Sequence, residues 1–217
     1  VSSNAPRAHA KTPSDPKGLG TRERILIATE ELIALHGAES LALKDIAARV
    51  GIRSPSIFAH FDGLEAVMKA VGQRLTERII LSWRPFDIVE SPEKRLRRGV
   101  RGLVEHFADN PATVRMMFRG MGGPSKSAEE RERIVALRAL VAQPIAQLFK
   151  LGVEAGEFRE VRVEAFMAQM LGAIMVSLVF VGWDDTGKLR PTIPLARLQK
   201  EAEDLAISIV GARKKRN

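Results

Sequence analysis

The chain has no cysteine and no tyrosine among its 217 residues, and only 5% of it is aromatic. Without cysteine there is no disulfide, no thiolate-bound zinc, no iron–sulfur cluster and no thiol nucleophile, so side-chain chemistry carries no mark of redox compartment. Histidine is scarce too. His9, His36, His60 and His106 are scattered, and no paired carboxylates stand at a recognisable catalytic spacing. Neither a catalytic centre, a metal site nor a cofactor is expected. Strand-type alternation and internal repeats are missing throughout, which leaves an all-α chain. Long apolar runs are missing with one exception, the roughly 19 residues from Ala165 to Trp183, just enough to cross a bilayer. That run stands alone and contains Gln169 and Ser177, so it reads as a buried helix, and no membrane partner is expected.

What is present is a folded composition, 45% hydrophobic, with a net charge of +8. The charge says little about partners, because between Thr21 and Ile80 there are 8 basic and 8 acidic residues, and Arg213-Lys214-Lys215-Arg216 supply half of the excess. Its value depends on whether Arg22, Lys44, Arg49 and Arg53 share one face. Residues 1–20 are rich in Pro, Ser, Ala and Lys and lack the apolar centre of a signal peptide. They are expected to form a flexible arm, solvated or, through Arg7, Lys11 and Lys17, in contact with nucleic acid.

The densest information lies between Leu43 and Phe61. Ile46 and Val50 share a helix face at i, i+4 spacing, and the small Ala47 lets a second helix approach. Gly51 can adopt the left-handed conformation that ends a helix, with Ile52 returning an apolar side chain inward. Ser54-Pro55 then reads as an N-cap followed by proline at the first helical position. In the next helix, expected over Ser54–Phe61, Ile57 and Phe61 point inward, Phe58 flanks them, and Arg53, Ser54, Ser56, Ala59 and His60 point outward. This is helix-turn-helix grammar, and the outward set suits a major groove.

The flanks complete the pattern. Ile25, Ala28, Leu32 and Ile33 repeat at helical period behind Thr21-Arg22-Glu23-Arg24 and stop at Gly37. Asp62-Gly63-Leu64-Glu65 has capping-box spacing and opens a fourth helix to about Leu81, with Val67, Met68, Val71 and Leu75 on one side. With Ile46-Ala47, Gly51-Ile52, Pro55-Ser56-Ile57-Phe58 and His60-Phe61 in this order, the segment from Thr21 to about Ala70 closely resembles the N-terminal domain of the tetracycline-repressor (TetR) family of bacterial transcription regulators.

The resemblance implies a homodimer that places one recognition helix per subunit in successive major grooves of a palindromic double-stranded DNA operator. Arg53, Ser54, Ser56 and Ala59 would then face bases, and Thr21, Lys44 and His60 would hold phosphates. Three positions depart from the family. Phe58 stands where a tyrosine is usual and Leu64 where a lysine is usual, so two hydrogen bonds to the DNA backbone are lost. Ala42 replaces a hydroxyl that often caps the second helix, leaving Ser40 to compensate or the helix to fray.

Downstream, Ser91-Pro92-Glu93 caps a helix carrying Leu96, Val100, Leu103, Val104 and Phe107, and Asn110-Pro111 ends it. A short helix follows, from Ala112 to about Met121. The loop from Gly120 to Ser127 is a near miss for a phosphate-cradling loop, with Ser125 where the last glycine is required and helical sequence upstream. It reads better as a capping box, Ser127-Ala128-Glu129-Glu130, opening a long helix in which Pro144 predicts a kink or break near Leu140–Val141. The apolar run and a last helix from Pro194 to about Gly211 close the chain.

The expected organisation is an arm (1–20), a helix-turn-helix domain (21–66), a ligand-binding and dimerisation domain (67–212) and a basic tail (213–217). By resemblance, the last two helices form the dimer interface and the C-terminal domain holds a small, mainly apolar effector. Phe107, Met117, Phe149 and Met170 are chosen as its lining from the large apolar residues available, with His106 and Arg115 as polar anchors. The expected function is a ligand-responsive regulator, a repressor released by its effector, in the bacterial cytoplasm at the nucleoid. The alternative is a DNA-binding or architectural protein without an effector.

Overall fold

In the computed structural model, residues 19–83, 90–122, 128–179, 184 and 193–211 are described. Among them the chain is helical, and the only bridge is an isolated antiparallel one between Phe158 and Gly211. The first unit comprises α1 (Thr21–His36), α2 (Leu43–Val50), a 3-10 helix (Ser54–Ala59) and the first part of α3 (Leu64–Ser82). The second adds α4 (Pro92–Asp109), α5 (Pro111–Gly122), α6 (Ala128–Glu154), α7 (Val163–Val179) and α8 (Leu195–Val210). The arm, the basic tail and most of the loop read as a capping box before α6 lie outside the described residues.

Helix ends follow local chemistry, with some changes from expectation. Gly51 sits at φ 76°, ψ 36°, and its N–H and that of Ile52 bond back to Ala47 and Ala48 carbonyls at 2.9–3.2 Å, a Schellman ending. At the start of α2, the Asp45 carboxylate accepts from the Ala42 N–H at 3.2 Å. Ser40 does not compensate there; its hydroxyl donates to the His36 carbonyl of α1 at 3.2 Å. Asp45 succeeds because position N3 reaches back to the N-cap amide, whatever side chain the N-cap carries. Nor does Asp62 cap α3, whose N-cap is Gly63 at φ 116° with no side-chain bond.

Ser91 does cap α4, accepting from the Lys94 N–H, and the Glu157 carboxylate adds a second acceptor for the Glu93 N–H at 2.8 Å. Two residues further on, at the same end of the domain, Arg159 donates to the carbonyls of Val210 and Ile209 at 2.8 Å, satisfying C-terminal carbonyls of α8. Pro144 does not break α6, which continues from Ala128 to Glu154. Its missing N–H leaves only the Leu140 carbonyl unbonded, and Leu140 faces solvent at 52% exposure, where water can bind that oxygen.

Two apolar cores organise the chain. The first joins Ile25, Ile33, Ile46, Val50, Ile57, Phe61, Val67, Val71 and Leu75, with Ala112 of α5. The second joins Leu96, Val100, Val104 and Phe107 of α4 with residues of α6, α7 and α8, and with Trp83 at the end of α3. α3 therefore starts in one core and finishes in the other. α5 divides its faces likewise: Ala112 and Met116 go to the first core, Val114 and Met117 to the second.

α7 buries Phe166, Met170, Ile174, Met175 and Leu178. Among the described residues no helix is long and apolar enough to cross a membrane.

Candidate nucleic-acid interface

The expected reading helix forms, but as a 3-10 helix that ends at Ala59 rather than an α-helix to Phe61. Its N-cap is Arg53, so Ser54 is the first helical residue and not the cap. The segment is six residues long, short enough for 3-10 geometry, and i→i+3 bonds close it: Ser56 N–H to the Arg53 carbonyl and His60 N–H to the Ile57 carbonyl, both 2.9 Å.

Ile57 anchors this element with 0% exposure, and Phe61, 6% exposed, is buried beyond it. Arg53, Ser56, Ala59 and His60 are exposed and Ser54 is half-buried. The anchoring is strong because both inward residues enter the same core as Ile46 and Val50. Burying an isoleucine fully contributes about 1.5–3 kcal/mol.

The four cations whose arrangement was in question do not behave alike. Lys44 on α2 and Arg53 are exposed and have no ion-pair partner among the described residues. Arg49 pairs with Glu31 at 2.8 Å, both about half exposed, and Arg22 lies over the Phe61 ring with 4.8 Å to its centroid. Arg24, which carried no expectation, donates to the Val50 carbonyl and ties α1 to the end of α2. Thr21 is half-buried at the start of α1. Phe58 is 59% exposed, and Leu64 is half-buried against the first core.

A polar network joins this unit to the second one. Glu30 of α1 accepts from Arg78 at 2.8 Å and is ion-paired with Arg74 at 2.9 Å, both on α3, and Arg74 also pairs with Glu23. Arg78 also donates to the side-chain amide oxygen Oδ1 of Asn110 at 3.2 Å, where α4 turns into α5. Asn110 donates to the His106 carbonyl at 2.8 Å, and His106 Nε2 shares a hydrogen bond with Thr113 Oγ1 at 3.2 Å. Burial, and then the nearby Arg78 charge, push the His106 pKa down to about 4, so its ring is neutral at physiological pH. Arg115 is lowered as well, first by burial, while Glu39 opposes the shift. Sequence reading missed the network because the bonds that join its helices, Arg78–Asn110, Arg78–Glu30 and Arg74–Glu23, span 32 to 51 residues. The available signal was the pairing of Glu23 and Glu30 with Arg74 and Arg78 at helical spacings.

The four residues chosen for an effector lining come together differently. Phe107, Phe149 and Met170 are 1%, 5% and 2% exposed within the second core, and Met117 is half-buried against it. Phe149 packs edge-on against Phe166 and Phe158, with ring centroids 4.9 and 6.0 Å away. An open groove of about 670 Å³ runs between the end of α6 and the start of α7. Of the four, only Phe149 lines it, beside Lys150, Val153, Val161 and Arg162.

On the last two helices, α7 exposes Glu164 in its first turn and beyond it the uncharged Ala165, Ala168, Gln169, Gly172 and Val176. α8 exposes Arg197, Lys200, Glu201 and Asp204. Arg97 of α4 reaches Asp204 at 3.1 Å, Lys200 pairs with Asp204 at 2.7 Å, and Arg101 of α4 meets the buried Glu203 at 2.7 Å.

Known proteins share this arrangement. Residues 25–71 match the family model described as bacterial regulatory proteins of the tetR family, and residues 89–192 match the tetracyclin repressor-like C-terminal domain. The HTH-type transcriptional regulator UidR of Escherichia coli K12 is 27% identical over 124 residues, 57% of this chain. That match spans 63% of UidR's own length.

Two solved structures share the fold. A bacterial regulatory protein in the tetR family from Rhodococcus RHA1 has a TM-score of 0.69 at 20% identity, covering 90% of this chain and all of that one. The TetR family regulator PfmR from Thermus thermophilus has a TM-score of 0.64 at 22% identity, covering 92% of this chain and 99% of that one.

Proposed function

The chain belongs to the tetracycline-repressor family, whose members are DNA-binding transcription regulators rather than enzymes, and from that premise we propose that it represses transcription as a dimer on a palindromic operator and leaves it when a small, mainly apolar effector binds. The observation that carries the reading is the exposed row Arg53, Ser56, Ala59 and His60 on an element held by fully buried Ile57. A rigid scaffold presenting small polar groups and one arginine fits a major groove. Base contacts from Arg53, Ser54, Ser56 and Ala59 would select the sequence, while Thr21, Lys44 and His60 position the backbone.

The run Ala165, Ala168, Gln169, Gly172 and Val176, exposed and uncharged beyond the first turn of α7, supports a dimer through the last two helices, with the exposed charges of α8 as its rim. Release would work by linkage: an effector that favours a conformer with misplaced reading elements weakens operator binding, typically by about 1–3 kcal/mol of coupling. α3 is the element that carries the change, since Val67, Val71 and Leu75 sit in one core and Trp83 in the other. The work would take place at the bacterial nucleoid. The domains follow the same division, with 21–66 reading DNA and 67–212 binding ligand and partner. A second reading, DNA binding without an effector, draws on the close packing of Phe107, Phe149 and Met170. Small molecules retained by the purified protein in native mass spectrometry would favour the first reading, and their absence the second.

Three variants test the assigned contacts. Arg53→Ala and Ser56→Ala are expected to reduce the preference for operator over random duplex, Arg53→Ala by about 1–3 kcal/mol per half-site. Lys44→Ala should weaken binding to both alike and lower the salt slope by about one per subunit. Uniform loss in all three would overturn the division into base-reading and phosphate-holding residues.

A further inference from the structure

Replacing the usual tyrosine by Phe58 removes a hydrogen bond to the DNA backbone, yet the fold gives the ring another use. In a 3-10 helix side chains at i and i+3 lie over one another, so Ser54–Ala59 carries three stripes. Ser54 and Ile57 form the inward stripe, half-buried and 0% exposed. Ser56 and Ala59 form a stripe of small side chains, exposed to solvent, with one hydroxyl. The third stripe is Pro55 and Phe58, both exposed and wholly apolar.

At 59% exposure, Phe58 is the most exposed large apolar side chain among the described residues before α4. Lone exposed apolar groups are ordinary. This one is set apart by the element that carries it: Pro55 one turn earlier, Arg53 at its N-cap and His60 at its C-cap, both exposed, with Lys44 exposed on the preceding α2, and with Arg53 and Lys44 without ion-pair partners among the described residues. An apolar edge on an element flanked in the chain by exposed basic residues suits a polyanion that offers apolar groups between its phosphates. In the major groove of DNA those groups are the C5 methyls of thymine.

We propose that Pro55 and Phe58 form an apolar edge that reads thymine methyl groups, which makes Phe58 a specificity-determining residue. This rests on the DNA-reading function proposed above. Ser56 and Ala59 then meet base edges beside the thymine, and the backbone is held by Lys44 and the other cations without help from position 58.

The test uses the full chain and an operator selected from random duplexes, with each thymine replaced in turn by deoxyuridine, which lacks only the methyl. At one or two thymines per half-site the replacement should weaken wild-type binding about fourfold, the effect of removing one buried methyl-sized group. Phe58→Ala should bind the operator more weakly and be indifferent to the same replacements, with an unchanged salt slope. Its thermal unfolding should match wild type, because the ring lies mostly in water. Phe58→Tyr keeps the ring and should keep the sensitivity.

A half-site without thymine, wild-type binding blind to every replacement, or a sensitivity that persists in Phe58→Ala would each overturn the inference and leave the regulator reading standing. A lower salt slope in Phe58→Ala would also overturn it, by showing a role in backbone positioning. Failure of the selection to yield any preferred sequence would remove the DNA-reading premise itself.

Discussion

Replacing Arg78 with leucine removes a guanidinium bonded both to Glu30 of α1, at 2.8 Å, and to Asn110 at the α4–α5 corner, at 3.2 Å. Hydrogen bonds to charged groups contribute about 1.5–3 kcal/mol when well shielded from water. Shielding here is partial: the Arg78 side chain is 31% exposed and that of Glu30 15%. Glu30 also keeps Arg74 at 2.9 Å, so no carboxylate is left without a cation. The expected loss is therefore about 1–2 kcal/mol, at the lower end of the shielded range.

A double-mutant cycle with Glu30→Gln isolates the pair. Urea unfolding of the full chain, with all four proteins at one protomer concentration because dimerisation shifts apparent stability, should give a coupling energy of about 1 kcal/mol. Operator affinity should change in Arg78→Leu as well, since α1 carries the element that supports the reading helix. Additivity within about 0.3 kcal/mol, together with unchanged operator binding, would refute the idea that this network ties the two cores together.

Two further outcomes follow from burial. His106, held near pKa 4 against an ordinary value of 6.5, binds fewer protons when folded than when unfolded between those two values. Its contribution to stability is thus present above about pH 6.5 and lost as pH falls toward 4, by up to about 3 kcal/mol. Subtracting the unfolding profile of His106→Gln from that of wild type should isolate this slope, and identical profiles would contradict the burial of a neutral ring. At Gly152 an added Cβ would stand 1.9 Å from the Phe158 ring. Gly152→Ala should therefore lower stability by at least about 1–3 kcal/mol and disturb the Phe149–Phe158 contact, as read by calorimetry; a wild-type melting temperature would refute the close approach.

The legible parts of this fold are those decided within a few residues. Gly51 between two apolar faces, and Ser91-Pro92 before a helical repeat, each specify a conformation locally, and both stand in the structure. The 3-10 geometry of the reading element was not legible, because Ile57 and Phe61 at i, i+4 spacing satisfy an α-helix equally well. Capping by Asp45 was hidden by attention to hydroxyls, when the N3 carboxylate is enough. Of the kink or break expected at Pro144, the break is absent from the continuous α6, and the exposure of Leu140, whose carbonyl loses its partner, is a tertiary fact. The same holds for Glu30 and Arg78, whose pairing exists only after α1 and α3 have packed. Effector-lining residues are hardest of all, since Phe107 and Met170 have the size and spacing that any buried core requires.

Selection from a pool of random duplexes at physiological salt tests the central claim most directly. It should enrich a two-fold symmetric sequence whose half-sites are centred about 10 base pairs or a multiple of that apart, bound orders of magnitude more tightly than bulk DNA. A pool that emerges without any preferred sequence, or binding that differs between sequences by less than a few-fold, would contradict the account.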